Sequence, residues 1–324
     1  MKQRTGSTIR QRTSPARPAH WRTRSAVLSG LLSAALMLSG CVAQAGGSQN
    51  TSREPTPLSA AGVPSAPATN APLETTQASN KVPVYWIGRS GENVYLYREF
   101  RDISGQENPV TTALRIMMSQ KPLDRDFFTP WQEPDSLATS ISGKNVITVD
   151  VSKGAFNSNL DAGMAQRAVQ QLVYTATAAA ASSGLIDTGQ QLQVVILVDG
   201  HKDYMAFGQV KLGDPMSRNA SLVAPVWIID PQEDTSLPPG AVRFTGRSTV
   251  PNRPVRWQIL RENANGDKVP VVNGQANPSA ESGQGGAFNF TVGLTGGKYE
   301  LRASLVSADG GSEVVTDTRL FVIK

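Results

Sequence analysis

Past residue 81 the chain alternates between two apolar periods, and then one of them disappears. Val82 to Ile87 and Asn93 to Phe100 are rich in β-branched and aromatic residues. Arg89-Ser90-Gly91-Glu92 separates them, so the pair predicts a hairpin. Asn108-Pro109 then supplies a helix cap and a proline for the first helical position. Val110, Ala113, Leu114, Met117 and Met118 follow at helical spacing, until Lys121-Pro122 stops the helix. The run from Thr129 to Ser136 reads as irregular. Ile147, Val149 and Val151 alternate with Thr148 and Asp150, which predicts a strand with one buried face. Asn159 or Asp161 caps a second helix, whose stripe is Ala165, Ala168, Val169, Leu172, Val173 and Ala176. Gly184 stands where such a helix ends. Its small side chains imply close approach to a sheet. Leu192 to Val198 is almost continuously apolar, which suits a central strand, and Asp199-Gly200 ends it.

From Val226 onward only short β-rich runs remain. They are Val226 to Ile229, Ala241 to Thr249, Val255 to Arg261, Val269 to Asn273, Ala287 to Val292, Lys298 to Val306 and Thr316 to Ile323. Seven such runs with turn residues between them predict a β-sandwich. Asn265-Gly266 marks one hairpin. Trp257 sits mid-strand in the third run. Leu294, Gly297 and Tyr299 have the spacing of a tyrosine corner, with Leu301 where a disulfide cysteine would otherwise stand.

The N-terminal region has neither period. Residues 1 to 40 carry Lys2 and six arginines with no acidic residue, and Ala26 to Leu38 is a short apolar run. That is the layout of a secretory signal, and the run is too short to span a bilayer as a stable helix. The formal charge of +5 therefore belongs to this segment, because 24 basic and 26 acidic residues are left without it. The high pI is no argument for nucleic acid. Residues 42 to 81 are rich in Ala, Ser, Thr, Pro and Gly and are expected to form a disordered linker. At that length it would reach roughly 35 Å as a coil and about 120 Å in polyproline II form.

Catalytic chemistry has little to build on. His201 is the single histidine after residue 40, and it follows Asp199-Gly200 in an expected turn. A zinc site made of several histidines is excluded. Asp150, Asp161, Asp199 and Asp203 invite a metal cluster, but each has a structural job as strand, cap or turn residue, and their spacing is not that of a calcium loop. No cofactor is expected. Arg243, Arg247, Arg253, Arg256 and Arg261 form one local basic cluster. It could face an anionic wall polymer or headgroups, or simply blunt sheet edges.

Three resemblances sharpen these readings. Leu38-Ser39-Gly40-Cys41 resembles the lipobox of bacterial lipoproteins, which implies cleavage before Cys41 and a diacylglyceryl group on its sulfur. The alternative is an ordinary cleaved signal that leaves Cys41 as a free thiol. The helix from Asn108 to Gln120, Thr129-Pro130, Asn145 to Ser152, Gln171 to Thr175 and Val194 to Gly200 together resemble the GerMN domain of spore-germination and sporulation proteins. That domain is also found in LpqB-type lipoproteins. Asp230-Pro231, Val242 to Arg247, Val255-Arg256-Trp257, Gly286 to Phe290 and Phe321-Val322-Ile323 resemble the Gmad2 immunoglobulin-like domain.

The expected order is a lipoprotein signal (1–40), a lipidated Cys41 with linker (41–81), a GerMN-like α+β sandwich of one sheet and two main helices (82–217), and an all-β immunoglobulin-like sandwich (225–324). The resemblances imply a non-enzymatic envelope lipoprotein. It would be held to the extracytoplasmic face of the plasma membrane by Cys41 and would contact envelope proteins or peptidoglycan. A solute- or wall-fragment-binding lipoprotein is the competing expectation.

Overall fold

The computed structural model describes residues 80–324, except 104, 144, 187–190, 280–284 and 308–309. The expected signal segment, the lipobox Leu38, Ser39, Gly40 and Cys41, and the expected linker up to residue 79 lie outside the described residues. Lys81, read from sequence as the last linker residue, already belongs to a strand.

β1 (Lys81–Ser90) and β2 (Asn93–Asp102) pair antiparallel along their whole length, from Lys81 opposite Asp102 to Ser90 opposite Asn93. The turn is therefore the two residues Gly91-Glu92, with Gly91 at φ 58°, where a hairpin needs a positive φ. α1 (Pro109–Ser119) starts as expected, the Asn108 side chain accepting from the Val110 N–H. Val110, Ala113, Leu114, Met117 and Met118 are all buried. β3 (Phe127–Phe128) then pairs with the free edge of β1.

β4 (Leu137–Ser142), β5 (Val146–Val151) and β6 (Gln193–Val198) form a second ladder in that order, β4 antiparallel and β6 parallel to β5. Two expectations change here. β5 is the central strand and β6 an outer one, its far side touched by isolated bridges to Met216 and His201. The apolar run marked burial of Val194, Ile196 and Val198 beneath a helix, which a one-sided strand also gives. The single expected sheet is in fact two three-stranded sheets, with a separate small hairpin of β7 (Met205–Ala206) and β8 (Val210–Lys211).

α2 (Ala162–Ser182) connects β5 to β6 and organises the domain. Asp161, and not Asn159, is its cap, accepting from the Met164 N–H. At the other end the Gly184 N–H donates to Ala181 and the Leu185 N–H to Ala180, with Gly184 at φ 66°. These bonds satisfy carbonyls that a helix end leaves open. The helix is buried on nearly every side from Ala168 to Ser182, well beyond the predicted stripe. Gln171 and Thr175, four apart and so on one face, complete the backbone of β1. Gln171 Nε2 donates to the Tyr85 carbonyl at 2.9 Å, and the Tyr85 N–H donates to Thr175 Oγ1 at 3.1 Å. The irregular stretch after β3 has its own anchor. Trp131 is buried, donates from Nε1 to the Ala168 carbonyl, and meets Phe156 and Phe207 edge to face.

The second domain is a β-sandwich. Its strands are β9 (Val226–Asp230), β10 (Thr235–Leu237), β11 (Gly240–Ser248), β12 (Val255–Glu262), β13 (Lys268–Ala276), β14 (Ala287–Leu294), β15 (Gly297–Val306) and β16 (Glu313–Ile323). Each of the seven predicted runs is a strand, and β10 is the one addition. One sheet runs β14-β11-β9, the other β10-β16-β15-β12-β13. Phe244, Phe288, Phe321, Trp257, Ile259 and Leu301 fill the space between the sheets. Trp257 lies flat on Phe290, centroids 4.1 Å apart. Gly274 makes room for it, since a Cβ there would come within 2.5 Å of the indole. Tyr299 donates from its hydroxyl to the Thr295 carbonyl at 2.8 Å, the expected corner.

Candidate functional site at the domain junction

Among the described residues, a cluster of buried ionisable groups sits where β16 of the sandwich meets β2 and the α1–β3 loop of the first domain. Alternation along β16 turns Val315, Phe321 and Ile323 into the core of the sandwich, and the same alternation brings Asp317 and Arg319 inward. Arg319 is 2 % exposed. Its guanidinium donates to Asp124 Oδ2 at 2.5 Å, to Asp317 Oδ2 at 3.4 Å and to the Ile228 carbonyl at 3.4 Å. It lies over the Phe127 ring, 5.5 Å from the centroid. Phe127 in turn stacks on Tyr97. One cation of the sandwich thus closes on a carboxylate and an aromatic pair of the first domain.

Second partners hold each acid in place. Asp317 Oδ2 accepts from the Ile228 N–H at 2.7 Å. Glu99 on β2 accepts from the Leu123 and Asp124 N–H groups and lies 3.8 Å from Arg101. Glu233, between β9 and β10, accepts from the Leu320 N–H. Polar contacts extend the junction: Ser90 and the Thr316 backbone exchange two hydrogen bonds, and the Phe100 N–H donates to Gln232 Oε1.

Burial dominates the electrostatics. It pushes Asp317 up to about 6 and Glu233 up to about 7, against the pull of Arg319 and of the backbone N–H groups. Glu99 and Asp124 are raised for the same first reason. For Arg319, burial disfavours the charge, but the surrounding carboxylates outweigh it and the net shift is upward. Raised carboxylates often mark catalytic acids. Here Glu99, Asp124, Asp317 and Arg319 are each at most 4 % exposed, so no polymeric substrate reaches them. The arrangement binds two domains together.

The residues singled out from sequence scatter. Arg243 and Arg247 lie on β11, while Arg256 and Arg261 lie on β12 in the opposite sheet. Val242 and Phe244 face Val255 and Trp257 across the core, so Arg243 and Arg256 point to opposite outer faces. Arg253 is half-buried in the connecting loop. Arg247 donates to the Gly285 carbonyl, and Arg261 to the Gly296 carbonyl at 2.6 Å while lying over Tyr299. They do not make one patch. His201 is exposed, its Nδ1 2.6 Å from the Asp199 carbonyl oxygen. Asp150 accepts from the Gly200 N–H, and Asp203 pairs with Lys211 at 2.8 Å. Among the described residues no group of three or more His, Cys, Asp or Glu is placed to hold a metal.

One open groove of about 350 Å³ lies along β12 and β13. Arg256, Gln258, Asn273, Gln275 and Glu313 line it with amide, guanidinium and carboxylate groups. Neither the groove nor the Arg319 network was read from the sequence. The one signal for the network was an Asp and an Arg on the inward-facing parity of a strand expected to be apolar there.

The described residues thus form an α+β unit locked to a β-sandwich by a sealed charged contact. Residues 83–204 match the family model Germane, described as sporulation and spore germination, so the chain contains a GerMN domain. Among solved structures it is similar to the first GerMN domain of the sporulation protein GerM from Bacillus subtilis, at 18 % identity over 43 % of this chain and 98 % of that one, with a TM-score of 0.34. The tandem GerMN domains of the same protein match at 17 % identity, covering 62 % of each chain, with a TM-score of 0.34. Fibronectin(III)-like modules of Clostridium thermocellum CbhA match at 12 % identity over 31 % of this chain and 95 % of that one, with a TM-score of 0.20. No curated protein matches.

Proposed function

We propose that this chain is a non-enzymatic lipoprotein of the bacterial envelope, a tethered module that contacts envelope proteins or peptidoglycan. The observation that carries the non-enzymatic reading is the junction, where the strongest cluster of carboxylates is sealed and engaged in joining domains. The match of residues 83–204 to a sporulation and germination family supports an envelope setting. In this reading Cys41, after Leu38-Ser39-Gly40, carries the lipid and holds the protein at the extracytoplasmic face of the plasma membrane. Two acyl chains give the stable anchoring that one does not. The sandwich, read as a Gmad2-like domain, offers the outward sheet faces that carry Arg243 and Arg256. Nucleic acid is not among the partners.

Crosslinking in intact cells, followed by recovery of the chain, should yield envelope proteins or wall fragments. Cys41→Ala should release the protein from the membrane and lose those crosslinks. A head that crosslinks to nothing, or a Cys41→Ala protein that stays membrane-bound, would sink the reading.

The groove along β12 and β13 favours a second reading, the binding of a solute or wall fragment. Its amide and guanidinium groups suit hydroxyl and acetamido groups. A thermal-shift series with soluble muropeptides discriminates, because a saturating ligand raises the melting temperature. Gln258→Ala should remove the shift.

A further inference from the structure

Four acidic side chains converge on the junction, and only two cations answer them. Each packed element contributes. β2 supplies Glu99 and Arg101, with the Tyr97 hydroxyl, which burial drives up so that it stays neutral. The α1–β3 loop supplies Asp124, with exposed Asp126 beside it. The β9–β10 segment supplies Glu233 and exposed Asp234, and β16 supplies Asp317 and Arg319. Arg319 contacts Asp124 and Asp317, and Arg101 lies near Glu99. Fully ionised, the four sheltered acids exceed the two cations in a region with little water to spread the charge. A proton taken up here removes that excess while both domains stay in contact. A junction held by apolar area alone would have no such dependence.

We propose that the Arg319 junction is a proton-operated hinge: mild acid locks the two domains together, and rising pH loosens them.

The sign follows from linkage. Burial raises Glu233 to about 7 and Asp317 to about 6 in the closed junction, whereas an opened junction returns both acids to the ordinary carboxylate range. The closed form therefore holds more protons between those limits. Its extra stability is fully present below the ordinary range and is lost as pH climbs through about 6 and then 7. The direction is the reverse of acid denaturation, in which paired carboxylates lose their partners.

Hydrogen exchange on the full chain tests this at the amides that bond across the junction. The Thr316 N–H donates to Ser90 Oγ, and the Phe100 N–H donates to Gln232 Oε1. After correction for intrinsic exchange, their protection should fall by about tenfold to about a hundredfold between about pH 5.5 and about pH 7.5, as two linked protons demand. The amides of Val149 and Ile196, in the first domain's own ladder, should change less than about twofold over the same range. Glu233→Gln, which keeps the shape and removes one titration, should raise protection of Thr316 at the higher pH and shrink the ratio to about fourfold or less. Protection that stays level or rises with pH in the unaltered chain would overturn the proposal. So would a Glu233→Gln chain that keeps the full ratio. The first of these measurements needs no variant, so a misfolded substitution cannot shelter the idea.

Discussion

The two domains solve the same burial problem with opposite materials. The first closes around α2, whose buried face includes Ala165, Ala168, Ala176 and the run Ala178 to Ala181. Small side chains let strands and loops approach a helix from every side. The second domain spaces two sheets apart, and sheets pack roughly 10 Å from one another. Only large side chains fill that gap, so Phe244, Phe288, Phe321 and Trp257 carry it. A core built on closeness is sensitive to added volume, whereas one built on rings is sensitive to removal.

Phe244→Ala should therefore break the sandwich most severely, at about 3–5 kcal/mol, read from denaturant unfolding of the full chain. A loss below 1 kcal/mol would show that the sheets collapse onto the vacancy. Arg319→Met tests what joins the two cores. It leaves Asp124 and Asp317 buried without their cation, at about 3–5 kcal/mol near neutrality. The loss should shrink in mild acid as the carboxylates take up protons, and an equal loss at both pH values would argue that the charges do not matter. Ala178→Leu adds volume where Phe244→Ala removes it, and should cost about 1–3 kcal/mol. If calorimetry shows it harmless, α2 is less tightly enclosed than its burial says. Tyr299→Phe is the mildest change. It removes one hydroxyl donor to the Thr295 carbonyl, for about 1 kcal/mol, and leaves the aromatic contact with Phe321 intact. A larger loss would mean that the corner holds the whole strand.

Features fixed by neighbours in the chain were legible. Asn108 and Gly184 end their helices as expected, and Tyr299 makes its corner, because each partner lies within a few residues. β4 was missed although Leu137, Thr139 and Ile141 alternate, since small polar residues between them resemble a loop. Gln171 and Thr175 read as ordinary helix residues until β1 arrived beside them. The arginine cluster was close in sequence and dispersed in space, because β11 and β12 belong to opposite sheets. Arg319 and Asp124, 195 positions apart, are the reverse case.

By itself the sequence determined the kinds of element, their caps and the division into an α+β part and an all-β part, because periodicity and capping act over a few residues. The tertiary structure alone decided which strands lie outermost, which polar side chains complete a strand edge, and which acids share one arginine. Those outcomes depend on what each surface meets after folding. A buried charge finds its partner by proximity in space, and distance along the chain carries no record of it.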